Sequence, residues 1–169
     1  MAKRKVFYSF HFANDFWRTQ QVRNIGVIEG DAPVSKNDWE EVKKKGDANI
    51  EKWIEDHLSG KSCLVVLIGS ETASRRWIKH EIKRAWSLGK GVVGVRIHNL
   101  KDQDSKQSTA GSNPFSTFTL CDGKVQMDSV VDVYNPPYST STDVYNYIAN
   151  NIETWIENAI KTRNDFKCP

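Results

Sequence analysis

Two nearly unbroken apolar runs constrain this chain more than any other feature: Cys63-Leu-Val-Val-Leu-Ile68 and Gly91-Val-Val-Gly-Val-Arg-Ile97. A strand with one wet face alternates apolar and polar residues, so a run without alternation belongs to a strand covered on both faces, as in a parallel sheet sandwiched by helices. The segment between them fits that arrangement. From Ser74 to Gly89, the residues Ile78, Ile82, Ala85 and Trp86 form an apolar stripe at helical spacing. Ser74 is the expected N-cap and Gly89 the expected stop. Strand, helix, strand in this order is a right-handed crossover unit.

The flanks extend the pattern. Lys5 to Phe12 is rich in β-favouring residues and reads as the first strand, and Asn14 or Asp15 is the expected cap of a helix running to about Ile25. Gly26 to Gly30 reads as a short second strand, and Asp31-Ala-Pro-Val-Ser35 opens a polar segment without an assignable period. Asp47 to Leu58 is a helix with Ile50, Trp53, Ile54 and Leu58 on one face and Gly60 as its C-terminal cap. Lys101 to Ser129, rich in Ser, Asp, Gly and Gln, has no period and is expected to be an irregular surface excursion. Val130 to Tyr134 is the expected last strand, and Thr142 to Thr162 the last helix, with Val144, Ile148, Ile152, Trp155 and Ala159 as its stripe. The sum is an α/β fold: a flavodoxin-like, five-stranded parallel sheet with helices on both faces. The 169 residues fit one domain.

Composition narrows the classes of function. A net charge of +3 is too balanced for a nucleic-acid grip, and Lys43, Lys44 and Lys45 read as a solvated helix end. No apolar run approaches the roughly 20 residues that cross a bilayer, and the stretch after the basic N-terminus is broken by Ser9, His11, Asn14 and Asp15, unlike a signal peptide. Cys63, Cys121 and Cys168 are odd in number and far apart, which suggests a reducing, cytoplasmic setting. His11, His57, His80 and His98 have no metal-ligand spacing, so no metal is expected.

In open parallel sheets ligands bind beyond the carboxyl ends of the strands, where the strand order reverses. That places the site in the loops after the first and third strands. Ser9, Phe10, His11, Asn14 and Asp15 are the candidates on one side, and the segment Ser70 to Trp77 lies on the other. No GxGxxG follows the first strand and no GxxxxGK[ST] occurs anywhere, which removes dinucleotide dehydrogenases and phosphate-loop NTPases. A phospho-receiver needs an Asp where the third strand here ends in Ile68-Gly69-Ser70, and an FMN carrier needs a Ser/Thr-rich loop where this chain has Phe10-His-Phe-Ala-Asn14. Trp77 and Glu81, four apart, share one side of the helix beside its stripe. By pattern alone Glu81, followed by Lys83 and Arg84, reads as a solvated partner in a weak ion pair.

The combination Ser74-x-x-Trp77-x-x-x-Glu81 on the helix after Cys63–Ile68, with Val6-Phe-Tyr-Ser-Phe10 far upstream, resembles the TIR (Toll/interleukin receptor) domain over most of the chain. More narrowly, Phe7-Tyr-Ser-Phe-His11 and Arg75-Arg-Trp-Ile-Lys-His-Glu-Ile82 are similar to the small TIR-like proteins of bacterial Thoeris antiphage defence. The resemblance implies that Glu81 is the catalytic residue of an NAD-cleaving enzyme, with NAD as substrate and no resident cofactor. It further implies a cyclic nucleotide signal that activates a separate effector, and it makes self-association plausible. Two departures stand out. Phe10-His11 replaces the basic pair common after the first strand, and the region of Asp31-Ala-Pro33 lacks the Arg-x-x-Pro-Gly loop of receptor TIR domains.

The chemistry suits a single carboxylate. Nicotinamide in NAD is already a cationic leaving group, so the bond to ribose breaks without a general acid and positive charge develops on the sugar, as in glycoside hydrolysis. An ionised Glu stabilises that charge. Trp77 is a candidate for packing on the ligand, Ser9, Phe10 and His11 for touching it, and Arg75 or Arg76 for steering its diphosphate. Linear ADP-ribose, a cyclic isomer, and a non-catalytic scaffold acting by homotypic assembly all remain open on the sequence.

Overall fold

A computed structural model of the chain describes residues 3–26, 28–30 and 41–169. The segment Asp31–Ser35 lies outside the described residues. Chain order is β1 (Lys5–Ser9), α1 (Phe12–Arg23), β2 (Glu29–Gly30), α2 (Asp47–Leu58), β3 (Cys63–Ile68), α3 (Arg76–Ser87), β4 (Gly91–Arg96), β5 (Thr119–Leu120), β6 (Val125–Gln126), β7 (Val133–Tyr134) and α4 (Ser141–Asp165). The main sheet runs β2-β1-β3-β4-β7 with every pairing parallel. Its body is β1, β3 and β4, and the two edge strands are two residues each. An α/β fold on a parallel sheet, with Cys63–Ile68 central and Gly91–Arg96 beside it, is what the two apolar runs predict.

The runs lack alternation because each face has its own core. Val6, Tyr8, Val65, Leu67, Val93 and Val95 point to the face covered by α1 and by the Val144, Ile148, Ile152 and Trp155 stripe of α4. Phe7, Leu64, Val66, Ile68 and Val92 point to the opposite face, under α2 (Ile50, Ile54, Leu58) and α3 (Ile78, Ile82, Ala85). Successive strand residues take opposite faces, so both sets must be apolar. Each fully buried Val, Leu or Ile contributes roughly 1.5–3 kcal/mol against exposure. Gly94 interrupts β4 for a packing reason: a Cβ there would lie 2.8 Å from Ile68 Cδ1 and 3.0 Å from Phe115 Cε2.

That contact corrects the expectation for 101–129. The stretch is largely irregular apart from the two-residue antiparallel pair β5–β6 and a 3₁₀ turn at Met127–Ser129, but it is not merely a surface excursion. Phe115 and Met127 are fully buried in the core under α2 and α3. Two apolar anchors suffice to pin a loop, and they leave no periodic trace in sequence.

Helix starts also differ from expectation. α1 begins at Phe12 with His11 at the N-cap, so Asn14 and Asp15 lie inside the first turn. Their side chains are drawn elsewhere, Asn14 to Glu71 and Asp15 to Arg18, instead of capping. α3 begins at Arg76, and Ser74 closes a 3₁₀ turn (Thr72–Ser74), donating its hydroxyl to the Glu71 carbonyl. α4 starts at Ser141 and extends to Asp165.

Cys121 and Cys168 form a disulfide, 47 positions apart in sequence. This runs against the reducing setting suggested by their spacing. The tail comes back because Arg163 donates to the Trp86 carbonyl and Phe166 packs edge-on against the Trp86 ring. Cys63 is buried in β3, and burial pushes its thiol pKa far up. Denatured without reductant, the protein is expected to take up one iodoacetamide group, and three after reduction, by intact mass. Three groups without reductant would show the Cys121–Cys168 pair to be open.

Among the described residues no helix is long and apolar enough to cross a membrane.

Candidate active site

The strand order reverses between β1 and β3, so the crevice at their carboxyl ends is the switch point of the sheet. The two loops meet there closely. A Cβ on Gly69, just past β3, would fall 2.1 Å from the Asp15 carboxylate, and one on Gly111 would fall 2.3 Å from the Gly69 carbonyl oxygen. Only glycine allows α1, the β3 loop and the 101–129 segment to converge in this way. Arg96, at the end of β4, donates to the Gly111 carbonyl at 2.5 Å and holds the segment in place.

Glu81 is in the second turn of α3, about 8 Å along the axis from the helix start by a rise of about 1.5 Å per residue. It is 7% exposed and shares the buried stripe with Ile78, Ile82 and Ala85. The reading of Glu81 as a solvated group therefore fails. Arg84 donates to Glu55 on α2. A carboxylate this far from water is rare, because desolvating the charge costs several kcal/mol unless it is compensated.

The candidates on β1 divide by face. Ser9 follows Phe7 at an interval of two and so belongs to the face that carries α3 and Glu81. It is 1% exposed, and its hydroxyl has no hydrogen-bond partner among the described residues. Phe10 goes the other way and packs against the core under α1 and α4, with its ring stacked on Phe12. Trp77 is half-buried against the α2–α3 core, but the Arg76 guanidinium lies 4.5 Å over its ring and His80 meets its edge.

His11, Asn14 and two residues of the β3 loop form a cluster at the mouth. Asn14 Nδ2 donates to Glu71 Oε2 at 2.7 Å, Arg75 Nη2 donates to the same oxygen at 3.3 Å, and His11 Nδ1 lies 3.8 Å from it. Burial, seconded by the charge of Arg75 and to a lesser degree Lys43, holds the His11 pKa below the usual imidazole value against the opposing pull of Glu71. The ring is therefore neutral near pH 7. The hydrogen bond from Asn14, followed by that from Arg75, lowers the Glu71 pKa and keeps that carboxylate ionised.

Asp15, a further candidate, is fully buried and paired with Arg18 at 2.8 Å. Arg18 also donates to the carbonyls of Leu100 (2.7 Å) and Lys106 (2.9 Å), so the pair ties α1 to the segment after β4. Glu71 is the residue that sequence reasoning passed over. Its signal is an acid three positions beyond the central strand, within the loop already singled out.

A cleft of about 500 Å³ lies elsewhere, between Trp17 and Gln21 of α1, Lys101 and the first turn of α4. It is open and none of Ser9, His11, Glu71, Trp77 and Glu81 lines it, so the candidate site rests on the switch-point geometry and not on cavity size.

A parallel α/β sheet in the order β2-β1-β3-β4-β7, with a buried carboxylate on the helix after the central strand, is the arrangement of a TIR-like domain. The family described as "Thoeris protein ThsB, TIR-like domain" matches residues 7–102, more than half of the chain, and this chain belongs to it. It is also 36% identical over 121 residues to a Bacillus cereus (strain MSX-D12) protein named "Putative cyclic ADP-D-ribose synthase ThsB1". The match covers 68% of this chain and 62% of that relative's length.

Proposed function

We propose that this chain cleaves the nicotinamide–ribose bond of NAD with Glu81 as the catalytic carboxylate and yields a cyclic ADP-ribose-type nucleotide. The observation that carries this reading is the burial of Glu81 in the apolar stripe of α3, which packs on the sheet face to which Phe7, and by alternation Ser9, belong. The flavodoxin-like strand order and the relative's name as a cyclic ADP-D-ribose synthase support it.

The ribose C1′–nitrogen bond breaks, its electron pair leaves with nicotinamide, and the cation left on the sugar is stabilised by Glu81 across a poorly hydrated gap. Capture by water gives ADP-ribose and a proton. Capture by a nucleophilic group of the same nucleotide closes a ring instead. The 101–129 segment, pressed onto Gly69 and Ser70 through Gly111, restricts water at this crevice and favours closure. NAD is substrate here, not cofactor. On this reading the product acts on a separate effector without requiring contact with this chain, and copies of the chain can self-associate.

Incubation with NAD in heavy-oxygen water separates the outcomes by mass. The expected nucleotide is lighter than ADP-ribose by one water and carries no heavy oxygen. Labelled linear ADP-ribose as the sole product would replace the cyclase reading by hydrolysis, and intact NAD would favour a scaffold.

A further inference from the structure

We propose that Arg75, held by Glu71 and Asn14, is the anchor for the diphosphate of the nucleotide substrate, with the uncapped first turn of α3 as its partner. The inference rests on the NAD reading above and extends it to a residue that binds without reacting.

Arg75 occupies the N-cap of α3, a 12-residue helix whose first turn carries no acid and receives no side-chain cap. The first amide N–H groups of such a helix are orphan donors at the positive end of its dipole, and phosphate is their natural acceptor. One guanidinium N–H of Arg75 is spent on Glu71 at 3.3 Å, and the side chain is 46% exposed, so donors remain for a ligand. Glu71 is in turn fixed by Asn14 at 2.7 Å, which ties the arginine to both loops of the switch point.

Arg76, the other candidate for this role, is turned away. It binds Asp47 at 2.6 Å and lies over Trp77. Arg18 is saturated by carbonyls and Asp15, and Arg96 is committed to Gly111. A second sign of a ligand in the same crevice is Ser9, the last residue of β1, whose buried hydroxyl has no hydrogen-bond partner among the described residues. Leaving such a group unsatisfied is costly unless something fills the place. The charges also permit an anion. Arg75 and Lys43 act on a neutral His11, with Glu71 the carboxylate opposing them.

The test compares parent, Arg75→Ala, Arg75→Lys, Glu71→Gln and, as a basic-residue control, Lys52→Ala, where Lys52 is an exposed α2 residue paired with Asp56. Arg75→Ala is expected to raise the KM for NAD by about tenfold to a hundredfold while kcat stays within about threefold, because a uniform binding contact is lost. Arg75→Lys restores part of it. Glu71→Gln raises KM in the same direction, as loss of positioning does. Calorimetry with pyrophosphate and with ADP-ribose reads the same site without turnover, and both affinities are expected to fall in Arg75→Ala and hold in Lys52→Ala. Affinities and KM within about twofold of parent in Arg75→Ala, or tighter anion binding in Glu71→Gln, would overturn the assignment. A parent that binds ADP-ribose through Arg75 yet never releases nicotinamide would reject the NAD-cleavage reading and keep the anion site. Should Arg75→Ala fail to fold, the Arg75→Lys affinities decide.

Discussion

Replacing Arg18 by Leu is expected to destabilise the protein by about 3–5 kcal/mol, the usual cost of removing one partner of a buried ion pair. Arg18 is 3% exposed and donates to Asp15, Asn14, Leu100 and Lys106. Its loss leaves a buried carboxylate and loop carbonyls without donors at once. Burial already pushes the Asp15 pKa up against the opposing hydrogen bond and charge of Arg18, so the pair is costly to desolvate and the arginine is what makes it tolerable. The double variant Asp15→Asn, Arg18→Leu is therefore expected to be more stable than Arg18→Leu alone. Urea unfolding followed by circular dichroism checks both points. A loss below about 1 kcal/mol for Arg18→Leu would show that the α1 junction with the segment after β4 does not depend on this residue.

Glu81→Gln is expected to lower NAD turnover by about a hundredfold or more, with KM little changed, because charge stabilisation is needed mainly in the transition state. The substitution keeps shape and hydrogen-bonding capacity and removes charge alone. The stability of the variant, followed by urea unfolding, is expected to stay within about 2 kcal/mol of the parent. Turnover equal to the parent in a folded variant would remove Glu81 from the mechanism.

The fold was legible where burial was two-sided. Cys63–Ile68 and Gly91–Arg96 announce a covered parallel sheet because both of their faces must be apolar. Helix starts were misread where capping residues had better partners: Asp15 is engaged by Arg18 and Asn14 by Glu71, and neither relation has a local signature. Phe115 and Met127 stayed hidden because isolated anchors in a polar segment have no period. The Cys121–Cys168 bond depends on where α4 ends, which spacing does not encode.

At the site, the motif pointed to Trp77 and Glu81, but only the packing of α3 distinguishes a buried carboxylate from a solvated one. Ser9 and Phe10 were read as one unit, yet strand alternation sends them to opposite faces. That Arg76 is engaged by Asp47, at the start of a different helix, has no signature in the local sequence.

The most direct measurement is mass spectrometry of NAD incubated with the purified chain over a range of protein concentrations, with Glu81→Gln in parallel. The expected result is one nicotinamide released for each NAD lost in the parent, and little or none in the variant. Unchanged NAD at every concentration of folded parent, or equal release by both proteins, would contradict the account.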